Sequence, residues 1–184
     1  GGSLENRMRF VLEVVRAVKH RVGDDFPVMI KLGCRDFLEG EPGLSIEEGA
    51  EVAAALEREG VSAVEISNGL PFERTIPTGI SKPEKEACYL PEARVVRGRT
   101  SGPLWLVGGM RSLPVMESVI ESGVADCVSL CRPFIREPHL VRRWKGGDTR
   151  PADCISCGGC FHYTSKGAHR IACRILERRR SRQQ

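Results

Sequence analysis

The sequence predicts an α/β fold of about four right-handed parallel β/α units, the C-terminal half of a TIM (β/α)8 barrel, followed by a cysteine-rich segment. Three observations predict it. Stretches with apolar residues at three-and-four spacing alternate four times with short apolar runs of strand length, the mark of β/α units rather than of an all-helical or all-β chain. Glycines close the helices. The last two strand ends carry glycine and arginine, and in a second half-barrel they fall at the loops after strands seven and eight, where barrels commonly bind phosphate. A doubly wound sheet is the alternative arrangement. Four strands alone leave two unpaired edges and one open face. The chain begins with Gly1 rather than Met, so it is expected to be a fragment whose remaining strands precede residue 1.

Met8, Val11, Leu12, Val15, Val18 and Val22 give Leu4 to Val22 one apolar helical face, ending near Gly23. Val28 to Leu32 is apolar on consecutive positions, as in a parallel strand buried on both faces, and Lys31 interrupts it. Ser45 and Glu48 form a capping box for a helix that Gly60 ends. Ala63 to Ser67 is the second strand, after which comes a Pro-, Gly- and Lys-containing loop of about 20 residues, a length that is often functional. A helix over Pro91 to Arg99, a strand over Leu104 to Val107, a helix over Leu113 to Ser122 and a strand over Cys127 to Leu130 complete the alternation. A short helix from Pro138 to Trp144 then leads to the cysteines. The expected division is 1–135 for the half-barrel and 136–184 for the short helix and cysteine segment.

A net charge of +4 over 184 residues, with 41% hydrophobic and 28% charged positions, fits one ordinary globular domain. The late arginines, Arg174 to Arg182, lack interleaved aromatics and fit a solvated end rather than a nucleic-acid surface. No run approaches the length of a membrane span and no signal peptide opens the sequence. Eight cysteines, four of them tightly spaced, suit metal binding in a reducing, cytoplasmic compartment better than a disulfide framework.

The strongest motif is Cys154-x2-Cys157-x2-Cys160-x12-Cys173. Three thiolates on one loop and a distant fourth match an iron–sulfur habit, which points to a [4Fe-4S] cluster. Zinc prefers two separated pairs of ligands and is the weaker alternative, with unligated thiols behind it. His162 and His169 lie between ligands and are expected to be polar loop residues. The second motif is Val107-Gly108-Gly109-Met110-Arg111-Ser112, where unhindered amides and a helix dipole can cradle a phosphate. Ser129 to Pro133 ends the next strand and adds amides and the Arg132 guanidinium. A tight turn and a surface arginine are the plainer alternative. Lys31, inside an apolar strand, needs an anion, which a cofactor or Asp36 could supply unless its ammonium reaches solvent. Cys34, Cys88, Cys127 and Cys131 lack ligand spacing and are expected to pack.

Together the opening Gly-Gly-Ser-Leu-Glu-Asn-Arg-Met-Arg-Phe, Val-Gly-Gly-Met-Arg, the run Arg132 to Pro138 and the cysteine spacing resemble the old yellow enzyme (NADH:flavin oxidoreductase) family. The likeness is closest to its iron–sulfur branch, with 2,4-dienoyl-CoA reductase and trimethylamine dehydrogenase. The resemblance implies FMN at the C-terminal mouth of the barrel, with Gly108, Gly109, Cys131 and Arg132 at its phosphate and Lys31 beside the N1 and O2 edge of the ring. The family often has arginine at position 31 and glycine at position 131. It implies that Cys154, Cys157, Cys160 and Cys173 hold a [4Fe-4S] cluster near the dimethylbenzene edge. Long members continue into a nucleotide-binding domain. This sequence stops eleven residues after Cys173, so the electron partner is expected to be free NAD(P)H or a separate electron-transfer protein, with truncation at this end as the competing explanation. The expected substrate is a small organic molecule with an activated C=C bond or an amine, with no nucleic acid or membrane involved and oligomerisation left open. The catalytic proton donor is expected before residue 1. Two other functions compete: an electron-transfer or metal-binding module without turnover, and a phosphate-binding barrel lyase or isomerase.

Overall fold

The computed structural model describes residues 1–36, 43–70, 77–160 and 171–181. Helix α1 (Leu4–Val22) starts at Ser3, whose hydroxyl accepts the Asn6 amide, and stops at Gly23. Strand β1 (Met29–Gly33) comes next, then α2 (Ile46–Arg58), opened by the reciprocal bonds of Ser45 and Glu48. Gly49 in that helix stands against β1's end: a Cβ there would lie 1.9 Å from the Cys34 carbonyl oxygen. After β2 (Ala63–Ser67) come a 3-10 turn (Pro83–Lys85) and α3 (Leu90–Arg97), then β3 (Leu104–Val107), α4 (Leu113–Glu121) and β4 (Cys127–Ser129).

All strand pairs are parallel and the order is β1-β2-β3-β4. Sequential order is how a barrel grows; a doubly wound sheet would reverse direction from a central strand and place helices on both faces. Here Val64, Ile66, Leu104 and Leu106 share one core with Leu12, Val15, Ala53, Val96 and Val119 from the four helices. Residues in register on the other face, Lys31, Glu65, Trp105 and Cys127, are partly or fully exposed.

That asymmetry corrects one expectation. β1 is not buried on both faces: Met29 and Lys31 are exposed, because β1 is an edge strand and its second face has no cover. Several boundaries also move by one or two residues, as helix ends commonly do. The expected helix from Pro138 begins at Leu140 instead and runs to Lys145 as α6. It is preceded by an unforeseen single turn, α5 (Arg132–Arg136), started by Pro133. The arginine-rich end is also helical, α7 (Arg174–Ser181), with no buried residue: good helix formers take the helix even where solvent surrounds them.

Candidate functional site

The C-terminal ends of all four strands open onto one cleft, and all five residues expected at a cofactor line it: Lys31, Gly108, Gly109, Cys131 and Arg132. Ser67 and Asn68 reach it from the end of β2, Ser129 from β4, and Tyr89 from the long loop. His162 and His169, expected near the cysteines, lie outside the described residues.

The two glycines are required by geometry. Gly108 has φ +130° and Gly109 φ +71°, where side chains are disfavoured. A Cβ on Gly108 would lie 2.8 Å from the Tyr89 ring, and one on Gly109 2.2 Å from Ile80 Cδ1. The residues just after the glycines depart from expectation. The amides of Arg111 and Ser112, which open α4, do not face the cleft's ligand space: they donate at 2.8 and 2.9 Å to the buried carboxylate of Glu86, which the Ser112 hydroxyl also binds. A protein carboxylate therefore already occupies the anion-binding start of that helix. The anion-binding groups left to the cleft are the glycine turn and the β4 end.

Arg132 supplies the second half. Its Nη1 is buried and has no hydrogen-bond partner among the described residues. A buried donor without an acceptor costs about 1–3 kcal/mol, more when charged, which a phosphate oxygen would relieve. Cys131, expected to pack, is instead exposed on the cleft. The expectation holds for Cys34, which is fully buried and donates to the Ser67 carbonyl at 3.1 Å; burial pushes its thiol up to about 12. Burial likewise pushes the Cys88 thiol up to about 11 and the Tyr89 hydroxyl up to about 12.

Lys31 does not pair with Asp36. Its ammonium bonds Glu65 on the neighbouring strand, and the Ser129 hydroxyl donates to the other Glu65 oxygen at 3.0 Å. Asp36 serves the backbone instead, accepting from Leu44 and Leu70 at 3.0 and 2.7 Å. Sequence reasoning passed over Glu65, Glu86 and Asn68. A legible signal existed for Glu65, a second charge interrupting a second apolar strand; Glu86 sits in an aperiodic loop and gave none.

The cysteine segment is joined to the cleft. The Ala152 amide donates to the Arg111 carbonyl at 2.8 Å, and an Arg111 guanidinium nitrogen donates back to the Ala152 carbonyl at 2.8 Å. Ser156, between Cys154 and Cys157, is buried at φ +52° and lines the cleft. Buried Arg136 places Nη1 3.8 Å from Cys173 Sγ, and Arg132 acts electrostatically on Cys160, whose thiol burial pushes up. Among the described residues no three His, Cys, Asp or Glu side chains are gathered as a metal would require. Four thiols are the donor type an iron–sulfur cluster takes, and the Arg132 and Arg136 guanidiniums near two of them suit its negative charge.

Comparisons with known proteins accord with this geometry. An NADH oxidase of Thermoanaerobacter brockii is 35% identical over 166 residues, covering 88% of this chain and 25% of its own length. A cinnamate reductase of Clostridium sporogenes is 31% identical over 177 residues, 88% of this chain and 26% of its own length. Among solved structures, a 2-naphthoyl-CoA reductase complex superposes with TM-score 0.70 at 31% identity over 87% of this chain and 24% of that one. Histamine dehydrogenase from Rhizobium sp. 4-9 gives 0.69 at 30% identity, over 87% and 22%. The chain thus spans about a quarter of the length of these relatives. Residues 1–150 match one family throughout, and this α/β half-barrel belongs to the NADH:flavin oxidoreductase / NADH oxidase family.

Proposed function

We propose that this chain is the C-terminal barrel half and cluster segment of an FMN-dependent oxidoreductase, with residues 1–135 holding the flavin and 136–184 a [4Fe-4S] cluster. The observation that carries the reading is the unpartnered, buried Nη1 of Arg132 beside a turn whose glycines leave no room for a side chain. Gly108 and Gly109 would admit the FMN phosphate to main-chain contact, Arg132 would neutralise it, and Cys131 would border it. Lys31 on the floor would face the N1 and O2 edge of the ring. Bound FMN supplies hydride exchange between NAD(P)H and a small organic substrate, an activated C=C bond or an amine. Tyr89, hydrogen-bonded to Asn68, keeps its proton far above neutral pH and walls the cleft without adding charge.

Cys154, Cys157, Cys160 and Cys173 would hold the cluster, whose contribution is single-electron exchange with the flavin. Ser156 supports this: it sits inside the ligand spacing and lines the same cleft. NAD(P)H or a separate electron-transfer protein would serve as electron partner, and the thiol-rich composition suits the cytoplasm. No helix of the described residues is long and apolar enough to cross a membrane.

Anaerobic purification of the protein at the full length of its open reading frame tests the reading. The expected product shows flavin absorbance with about four iron and four sulfide per chain. A colourless preparation, or one holding zinc alone, overturns it.

A further inference from the structure

Glu65 lies beneath the cleft and bonds two side chains that line it. Lys31 donates to one carboxylate oxygen and Ser129, at 3.0 Å, to the other. Lys31 and Ser129 come from β1 and β4, the two edges of the sheet, and Glu65 from β2 between them. Both bonds are to side chains; neither caps a helix nor satisfies a backbone group. The arrangement adds little to the stability of this chain, in which Lys31 is 54% exposed. Its effect on charge at the cleft floor is direct: the Lys31 cation is held by an anion only 22% exposed, placed one side chain below.

We propose that Glu65 is a positioning residue that sets the flavin's reduction potential, holding Lys31 at the cleft floor while offsetting part of its charge. The inference rests on the reading that FMN occupies this cleft. Uptake of two electrons and one proton by the bound ring leaves it one negative charge. A cation below favours that state and a carboxylate behind the cation opposes it, so the pair fixes a potential lower than lysine alone would give. The serine bond keeps the carboxylate from swinging away from the floor.

The test is the two-electron midpoint potential of the flavin-loaded, full-length protein for wild type, Glu65→Gln and Glu65→Asp. Glutamine keeps an acceptor for Lys31 without the charge. The expected result is about a tenfold gain in affinity for reduced over oxidised FMN, a rise of about 30 mV. Aspartate keeps the charge but draws it back toward β2, so its potential falls between the other two; it also carries the test if the glutamine variant does not fold. A merely structural role would lower the melting temperature and leave the potential in place. Unchanged potentials in a variant that binds flavin overturn the inference and leave the flavin reading standing. A wild-type protein that takes up no flavin overturns both.

Discussion

At the scale of single residues, the cleft is built from groups whose needs are met only by a ligand or by a second residue behind them. Arg132 is the first kind. If its Nη1 meets a phosphate, Arg132→Ala removes one charge-assisted contact of about 1.5–3 kcal/mol, so FMN affinity falls at least tenfold. Riboflavin, lacking the phosphate, should bind the variant and the wild type alike. Equal losses for both ligands, read by fluorescence titration of the full-length protein, would remove Arg132 from the phosphate. Glu86 is the second kind: its carboxylate fixes Arg111 and Ser112 and so sets the exit of the glycine turn. Gly108, Gly109 and Arg132 were legible as candidates from spacing, because the glycine pair and the arginine end two neighbouring strands, although a tight turn and a surface arginine would leave the same trace. Glu86 was not, because a buried carboxylate in a loop has no period to betray it, and only its bonding partners reveal its work.

At the scale of elements, the connections at the opposite, N-terminal end of the strands are pinned by two carboxylates. Glu57 at the end of α2 accepts the Ser101 hydroxyl at 2.6 Å and the Gly102 amide at 2.7 Å, and the serine bond is the main cause holding its carboxyl below 4.5. Asp126 before β4 accepts the Leu104 amide at 2.8 Å, which with Arg97 holds it below 3.8. Both folded values lie under the unfolded ones, so the stabilisation is complete above 4.5 and is lost as pH falls through the lowered values. Urea midpoints measured down that window should drop. Glu57→Gln should start lower at neutral pH and fall less steeply; an identical slope in wild type and variant would dismiss Glu57 as a cause. The helices and strands themselves were readable in order, since apolar spacing and the Ser45 cap act locally. The end residues shifted because the last turn of each element is decided by what it packs against.

At the scale of the molecule, a four-stranded sheet covered on one face is an incomplete solvent barrier. Phe10, Val14, Val18 and Val22 make an exposed stripe along α1, with Phe26 and Met29 continuing it to the β1 edge. Apolar surface of that kind marks an interface. Lys31 and Trp105 look out from the opposite face of the sheet, which no helix covers. The 184-residue chain by itself should therefore bind FMN only loosely and show no turnover. Equilibrium dialysis giving flavin binding as tight as that of the full-length protein would contradict this.

The amino-acid sequence alone determined the alternation of β/α units, the glycine turn, the arginine after β4 and the four-thiol spacing, because each depends on neighbours a few residues away. Tertiary structure alone decided that β1 is an edge, that Lys31 answers to Glu65 rather than Asp36, that Glu86 and not a ligand fills the start of α4, and that Ser156 brings the cysteine loop to the cleft. Each of these joins residues far apart in the chain or depends on which face of a strand is covered. Such pairings arise from the register and packing of the assembled sheet, and no local pattern encodes them.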